Sequence, residues 1–243
     1  MDKHRAALIT GGAKRVGAAI ARRLAQEGFD IAITYLASEK EAQSLLQEIQ
    51  TLGRKAIAFH GDIDSVEKWA PAMAQRIDQE FGRLDLLVNN ASLYKPGGLT
   101  DTNADMVRQM MNIHFWGPLV LSRTFEKMLR ISHGAIINMV DAMVEKPMTN
   151  FLAYSASKAA LGNLTLALAR ELAPQVRVNG IAPGVVEWPP DFPADQRQAY
   201  LKRVPLQRAG TPQDVAEMVV YLATTGQYIT GQILKLDGGR SIA

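Results

Sequence analysis

An open α/β fold is the architecture this sequence predicts, and three observations carry the expectation. Short apolar runs alternate with longer stretches of helical period along most of the chain. The first run, Ala6 to Thr10, passes directly into the loop Gly11-Gly12-Ala13-Lys14-Arg15-Val16-Gly17 and then into a helix. The runs also end in small, amide or carboxylate residues, at the edge where open α/β sheets place their ligand crevice.

Taken in order, the loop after the first strand has the context of a phosphate site. Gly11 permits a tight turn, and Gly17 permits close packing of the helix. The free N–H groups at the helix start attract an anionic pyrophosphate. Arg15 stands where the usual dinucleotide fingerprint has its middle glycine, and an ordinary strand-to-helix turn is the competing reading. The helix runs to about Glu27, and Asp30 to Tyr35 forms a second strand. Ser38-Glu39-Lys40-Glu41 then has the form of a capping box, opening a helix to about Gly53. An NAD site carries Asp or Glu at the end of this strand to accept from the ribose 2′-hydroxyl, and Leu36, Ala37 and Ser38 offer none. With Lys14 and Arg15 nearby, the balance favours NADP.

Lys55 to His60 reads as a third strand ending in Gly61-Asp62, with Asp62 placed to meet an adenine edge. A helix is expected from about Val66 to Phe81, with Asp64 and Glu67 suited to its cap. Leu84 to Val88 is a fourth strand, ending in Asn89-Asn90-Ala91-Ser92. These residues let a flat ligand approach the backbone, although a plain polar loop looks the same. Tyr94, in a Gly/Pro-rich loop, offers a stacking surface. A long helical pattern covers about Asn103 to Leu129. Asn112 within it marks either solvent exposure or a local distortion holding a water.

The centre of the chain is the stretch from Asn138 to Lys158. Gly134 to Val140 reads as a buried strand, and Asp141 comes at its carboxyl end. Tyr154 and Lys158, four residues apart, share one helix face, so the ammonium can sit beside the phenol and lower its pKa. Alone, that pair is equally a solvated helix surface. Small residues on the same helix (Ala153, Ala156, Ala159, Ala160, Gly162) admit another helix or subunit. Gln175 to Ile181 is a sixth strand ending in Ala182-Pro183-Gly184. From Val185 to about Tyr200 there is no clear period. Trp188, Pro189, Pro190, Phe192 and Pro193 in that segment point to a lid or substrate loop, spanning about 185–210. Thr211-Pro212-Gln213-Asp214 starts the next helix, and Ile233 to Leu236 makes the last strand.

Composition narrows the function classes. The chain has 243 residues, 47% hydrophobic and 21% charged, enough for a full core, and it has no linker or repeat, so one domain over 1–243 is expected. There are no cysteines and the four histidines are scattered, which argues against a metal site. A net charge of +3 is spread out rather than striped with aromatics, so nucleic acid is not an expected partner. The charged start, Asp2-Lys3-His4-Arg5, precedes only a short apolar run, so no membrane span is expected and a cytoplasmic location fits.

In combination, the glycine loop, Asn89-Asn90-Ala91, Asn112, Tyr154-x-x-x-Lys158 and Pro183-Gly184 resemble the short-chain dehydrogenase/reductase family over essentially the whole chain. The resemblance implies a single doubly wound Rossmann domain with a seven-stranded parallel sheet and a homotetramer. By position it implies Tyr154 as proton donor, Lys158 as ribose-binding helper and Asn112 as water-holding residue. Most of that family has serine where Asp141 stands. The run Asn138 to Met143, Lys14-Arg15-x-Gly17, Ser92 and Tyr228-Ile229-Thr230-Gly231 are similar to the pteridine reductase and dihydromonapterin reductase branch. The implied cofactor site for NADP(H) is Gly11, Lys14, Arg15, Val16, Gly17, Tyr35, Ser38, Asp62, Asn89, Ala91, Ser92, Tyr154, Lys158, Pro183 and Gly184. The implied pterin site is Arg15, Ser92, Tyr94, Asp141, Tyr154 and Trp188. Two departures are Ala37, where the branch often has a basic residue, and Tyr94, where phenylalanine is commoner. The expected reaction is reduction of a C=N bond of a dihydropterin or dihydrofolate. The alternatives are a ketone reductase, acting for example on a 3-oxoacyl thioester, and a non-catalytic NADP-binding regulator.

Overall fold

The computed structural model describes residues 4–188 and 191–243, so Asp2, Lys3, Pro189 and Pro190 lie outside the described residues. Seven strands form one parallel sheet: β1 (Ala6–Ile9), β2 (Asp30–Tyr35), β3 (Ala56–His60), β4 (Leu86–Asn89), β5 (Ala135–Met139), β6 (Arg177–Pro183) and β7 (Ile233–Leu236). Their order is β3-β2-β1-β4-β5-β6-β7, the expected doubly wound arrangement. The chain reverses direction across the sheet between β1 and β4, which opens a crevice at their carboxyl ends.

Alternation along the strands builds two cores. Leu8, Leu87, Ile136 and Val178 face α3 (Ala70–Phe81), α5 (Gly117–Ser132) and α6 (Leu152–Leu172). Ile9, Ile33, Val88 and Ile137 face α1 (Arg15–Gln26), α2 (Glu39–Thr51) and α8 (Pro212–Thr224). Both faces are covered, which is why the strands are apolar runs rather than alternating ones. Among the described residues, no helix is long and apolar enough to cross a membrane, and no group of three His, Cys, Asp or Glu could hold a metal.

Local signals succeed and fail for definable reasons. At α8, Thr211 Oγ1 accepts from the Asp214 N–H and the Asp214 carboxylate accepts from the Thr211 N–H, a complete capping box. At α2 the predicted box does not form. Ser38 precedes the helix with ψ 55°, not the extended value that aims a side chain at the helix N–H groups, and it makes no side-chain cap bond. The helix predicted from Val66 begins instead as a 3₁₀ turn, Ile63–Lys68, followed by α3. Asp62 caps that turn, accepting from the Asp64 N–H, and Asp64 turns elsewhere.

The long helix expected over 103–129 is broken. It runs as α4 (Ala104–Met111), a π-helical turn (Asn112–Trp116) and α5. Pro118 has no N–H to continue the α ladder, and the Gly117 N–H reaches back to the Asn112 carbonyl, five residues away. Asn112 therefore marks a distortion, and its Nδ2 donates to Asp64 Oδ1 at 2.9 Å. The segment after β6, read as aperiodic, contains α7 (Ala194–Leu201).

Candidate active site

Two loops at the β1/β4 reversal form the floor of the crevice. The Thr10 hydroxyl accepts from the N–H groups of Asn90 and Ala91, both at 2.9 Å. Asn90 Nδ2 returns bonds to the carbonyls of Thr10 and Gly11 at 2.8 and 3.2 Å. Gly11 has φ +61°, and a Cβ on Gly17 would lie 2.3 Å from the Gly11 carbonyl. Helix α1 thus comes so close to the loop that only glycine fits. The uncommitted N–H groups at its start suit a pyrophosphate.

Around this floor, Val16 is half-buried and Lys14 and Arg15 are exposed. Arg15 adopts φ +54° and pairs with Glu187, Nε to Oε2 at 2.7 Å, which ties the glycine loop to the segment after β6. Tyr35 lies edge-on to His60 at 5.5 Å, and Ser38 is buried. Asp62 Oδ1 is occupied by the Asp64 N–H. Asn89 Nδ2 donates to Asn138 Oδ1, leaving Asn89 Oδ1 buried without a partner. Ala91 lies against Gly11, the Pro183 carbonyl accepts from the Ala142 N–H, and the Gly184 N–H donates to Leu236.

The proton-bearing groups meet at the ends of β5 and α6. The Tyr154 hydroxyl donates to Asp141 Oδ2 at 2.7 Å, and Asp141 Oδ1 accepts from the Met143 N–H at 2.7 Å. Lys158 Nζ donates to the Met139 carbonyl at 2.7 Å and lies 5.9 Å from the Tyr154 ring centroid. The expectation that Lys158 lowers the phenol pKa does not hold here. Burial first, and the Asp141 charge and hydrogen bond next, push Tyr154 above its ordinary value, so the phenol stays protonated. Burial lowers Lys158 to about 8, with Asp141 opposing.

An aromatic wall adjoins this group. Tyr94 stacks on Phe151 at 4.4 Å and meets Tyr154 edge-on at 4.9 Å. A backbone bridge holds the two segments: Gly97 N–H donates to the Asn150 carbonyl at 2.7 Å and Leu152 N–H to the Gly97 carbonyl at 3.1 Å. Trp188 packs on Phe192 at 4.9 Å and on Tyr200 at 5.3 Å.

Several contributors escaped the sequence reading. Tyr200 is on α7, in the segment read as aperiodic, and its hydroxyl accepts from the Val185 N–H at 3.3 Å. His114, buried at 1% exposure, bridges Ser92 and Ser157 behind Tyr154. Its only sequence signal is a histidine amid apolar residues in a helical pattern, which fits a packed core equally well.

The family profile described as enoyl-(acyl carrier protein) reductase matches residues 11–241. The chain belongs to the short-chain dehydrogenase/reductase family. As a member it is a nicotinamide-dinucleotide-dependent oxidoreductase, and the glycine cradle and the two uncommitted protons of Lys158 fit such a group. This short-chain oxidoreductase is 32% identical over 244 residues to the 3-oxoacyl-[acyl-carrier-protein] reductase FabG of Staphylococcus aureus, covering 98% of this chain and 99% of that one. It is 30% identical over 277 residues to pteridine reductase 1 of Leishmania tarentolae, covering 97% and 96%. The structure of FolM alternative dihydrofolate reductase 1 from Brucella canis, complexed with NADP, superposes with a TM-score of 0.91 at 32% identity, covering 98% and 94%.

Proposed function

We propose that this enzyme is an NADPH-dependent reductase of dihydropterins, with dihydrofolate as a further candidate substrate. The observation that carries the reading is the Tyr154 hydroxyl on Asp141 at 2.7 Å, with the Tyr94 ring 4.9 Å from Tyr154. A pterin is flat and edged with donors, and it needs a stacking ring and an acceptor. A ketone needs neither, and a carboxylate beside it opposes the negative charge that grows on its oxygen. The Leishmania and Brucella relatives support the pterin reading. The equally similar Staphylococcus relative favours a 3-oxoacyl thioester, and Asp141 argues against that substrate. The intact Tyr154, Lys158 and Asn112 argue against a non-catalytic regulator.

Held by the glycine cradle and Lys158, the dinucleotide would supply the hydride for the carbon of the C=N bond. Tyr154 gives its hydroxyl proton to the ring nitrogen by turning it away from Asp141, whose charge keeps the phenol in its acid form until then. Lys158 would hold the ribose through the two protons not committed to Met139, and its ammonium, 5.9 Å from the Tyr154 ring centroid, offsets the charge left on the phenol. Lys14 and Arg15, with no carboxylate at Leu36 to Ser38, favour the 2′-phosphate of NADPH. Asn112, through Nδ2 on Asp64 Oδ1, ties the π turn to the 3₁₀ turn before α3. One domain in a cytoplasmic homotetramer fits the exposed stripe Leu152, Ala156, Ala159, Asn163 and Leu166 on α6. Light scattering that reports a monomer at micromolar concentrations would remove the tetramer from the proposal.

NADPH consumption with dihydropterin, with a 3-oxoacyl thioester and with neither tests the reading. Dihydropterin should be reduced much the fastest. A keto substrate turned over while dihydropterin, dihydromonapterin and dihydrofolate stay untouched would overturn it.

A further inference from the structure

Behind the crevice, one buried imidazole sets the direction of a chain of hydrogen bonds. His114 Nε2 lies 3.3 Å from the Leu93 N–H and 2.9 Å from Ser92 Oγ, and Nδ1 lies 2.8 Å from Ser157 Oγ. A backbone N–H only donates, so Nε2 is the bare, accepting nitrogen. Nδ1 then carries the ring proton and donates to Ser157, whose own hydroxyl donates to the Tyr154 carbonyl at 2.7 Å. The ring stays neutral because burial, followed by the Lys158 charge, lowers its pKa to about 2. With Nε2 bare, the 2.9 Å contact to Ser92 is attractive only if Ser92 donates.

We propose that His114 is a positioning residue that fixes Ser92 as a hydrogen-bond acceptor toward the crevice, so that Ser92 takes an N–H-bearing edge of the substrate and rejects a carbonyl oxygen. The serine proton is spent on the imidazole, and only its lone pairs remain for a ligand. Asp141 already accepts one bond at each oxygen, from the Tyr154 hydroxyl and the Met143 N–H, and Ser92 adds a second acceptor beside its remaining lone pairs. Ser92 thereby supplies an acceptor for an aminopyrimidine edge. A rotatable hydroxyl would serve a carbonyl as readily as an amine, whereas an oriented one discriminates, because the wrong partner leaves two acceptors facing each other. The identity of the N–H-bearing group rests on the pterin reading, and the orientation of Ser92 does not.

Two measurements test this. Ring ¹⁵N–¹H correlation spectra of the free enzyme, with the His114 signals identified by their loss in His114→Leu or His114→Gln, should show a neutral Nδ1–H tautomer unchanged from pH 5 to 8. An Nε2–H tautomer, or titration near the ordinary histidine value of about 6.5, would overturn the proposal. The second measurement compares dihydropterin with dihydrolumazine, which has a carbonyl in place of the amino group. The parent should prefer dihydropterin by about tenfold or more, mainly in KM, or in Kd for the enzyme–NADP⁺ complex. Ser92→Ala and His114→Leu should each cut that preference to about twofold or less, and the double variant should cut it no further. Undiminished preference in Ser92→Ala, which keeps the imidazole, refutes the selectivity even if His114→Leu fails to fold. If the parent neither binds nor reduces either compound, the pterin reading fails, and the tautomer alone decides the orientation of Ser92.

Discussion

Asp141→Asn separates the charge of this side chain from its shape. The structure gives Asp141 two bonds, from the Tyr154 hydroxyl to Oδ2 and from the Met143 N–H to Oδ1, each 2.7 Å. Asparagine can keep the second through its amide oxygen, which leaves its NH₂ against the phenol. That group cannot accept, so Tyr154 loses its acceptor and its orientation. A hydrogen bond to a charged group contributes about 1.5–3 kcal/mol, and Asp141 is only half-buried, so the lower part of that range applies. Dihydropterin turnover should therefore fall about 10- to 30-fold. The glycine cradle is untouched and Lys158 keeps its bond to Met139, but it loses the charge that opposes the effect of burial, so NADPH affinity, titrated well below pH 8 where Lys158 is charged, should stay within about twofold. Loss of reduced-nicotinamide absorbance gives turnover, and fluorescence titration gives affinity. Turnover within about twofold of the parent, in a variant that binds NADPH normally, would refute the assignment of Asp141 to the proton-transfer step.

Tyr154→Phe keeps the ring that meets Tyr94 and removes the hydroxyl that donates to Asp141 Oδ2, so turnover should drop about 10²-fold or more with NADPH still bound. Near-normal turnover would make water or Asp141 the donor. Arg15→Ala should cut the NADPH-over-NADH preference about tenfold, roughly 1.4 kcal/mol, and Glu187→Gln, by freeing Arg15 from its exposed partner, should strengthen NADPH binding a few-fold. Titration with both cofactors reads each change. Lys158 is charged below about 8 and loses its proton as pH rises through that value, so cofactor grip and turnover should decline there. Stability moves the other way. Between about 8 and the ordinary 10.5 the unfolded chain binds the proton that the folded one has lost, so this group's contribution rises with pH. Paired pH profiles of kcat/KM and of thermal unfolding check both signs.

Much of the fold was legible because its signals are local. β2 and β7 fall on the predicted residues, and the α8 cap works because Thr211, Pro212 and Asp214 act within one turn. The glycine loop and the Tyr154–Lys158 face follow equally from chain spacing. What escaped depends on partners distant in sequence. Whether Ser38 caps is set by its backbone turn, and Asp64 is drawn from the α3 cap toward Asn112, 48 residues away. The Tyr154 pKa was misjudged for a related reason. Spacing places Lys158 on the same face, but only the folded β5 end reveals that the carboxylate reaches the phenol while the ammonium is held by Met139.

The Gly97 bridge makes substrate scope a property of two segments at once. Residues 92–98 carry Ser92 and the Tyr94 ring, and 141–154 carry the carboxylate and the phenol. Backbone bonds between Gly97 and Asn150–Leu152 hold them in fixed spacing. Neither bond involves the glycine loop, so this half of the crevice can diverge while the dinucleotide cradle stays constant. A graft that changes the backbone path of only one segment would separate the Gly97 and Leu152 N–H groups from their carbonyl acceptors and shift the Tyr94 ring off the phenol. The transplantable unit for a new specificity on this scaffold is therefore the bridged pair, exchanged together.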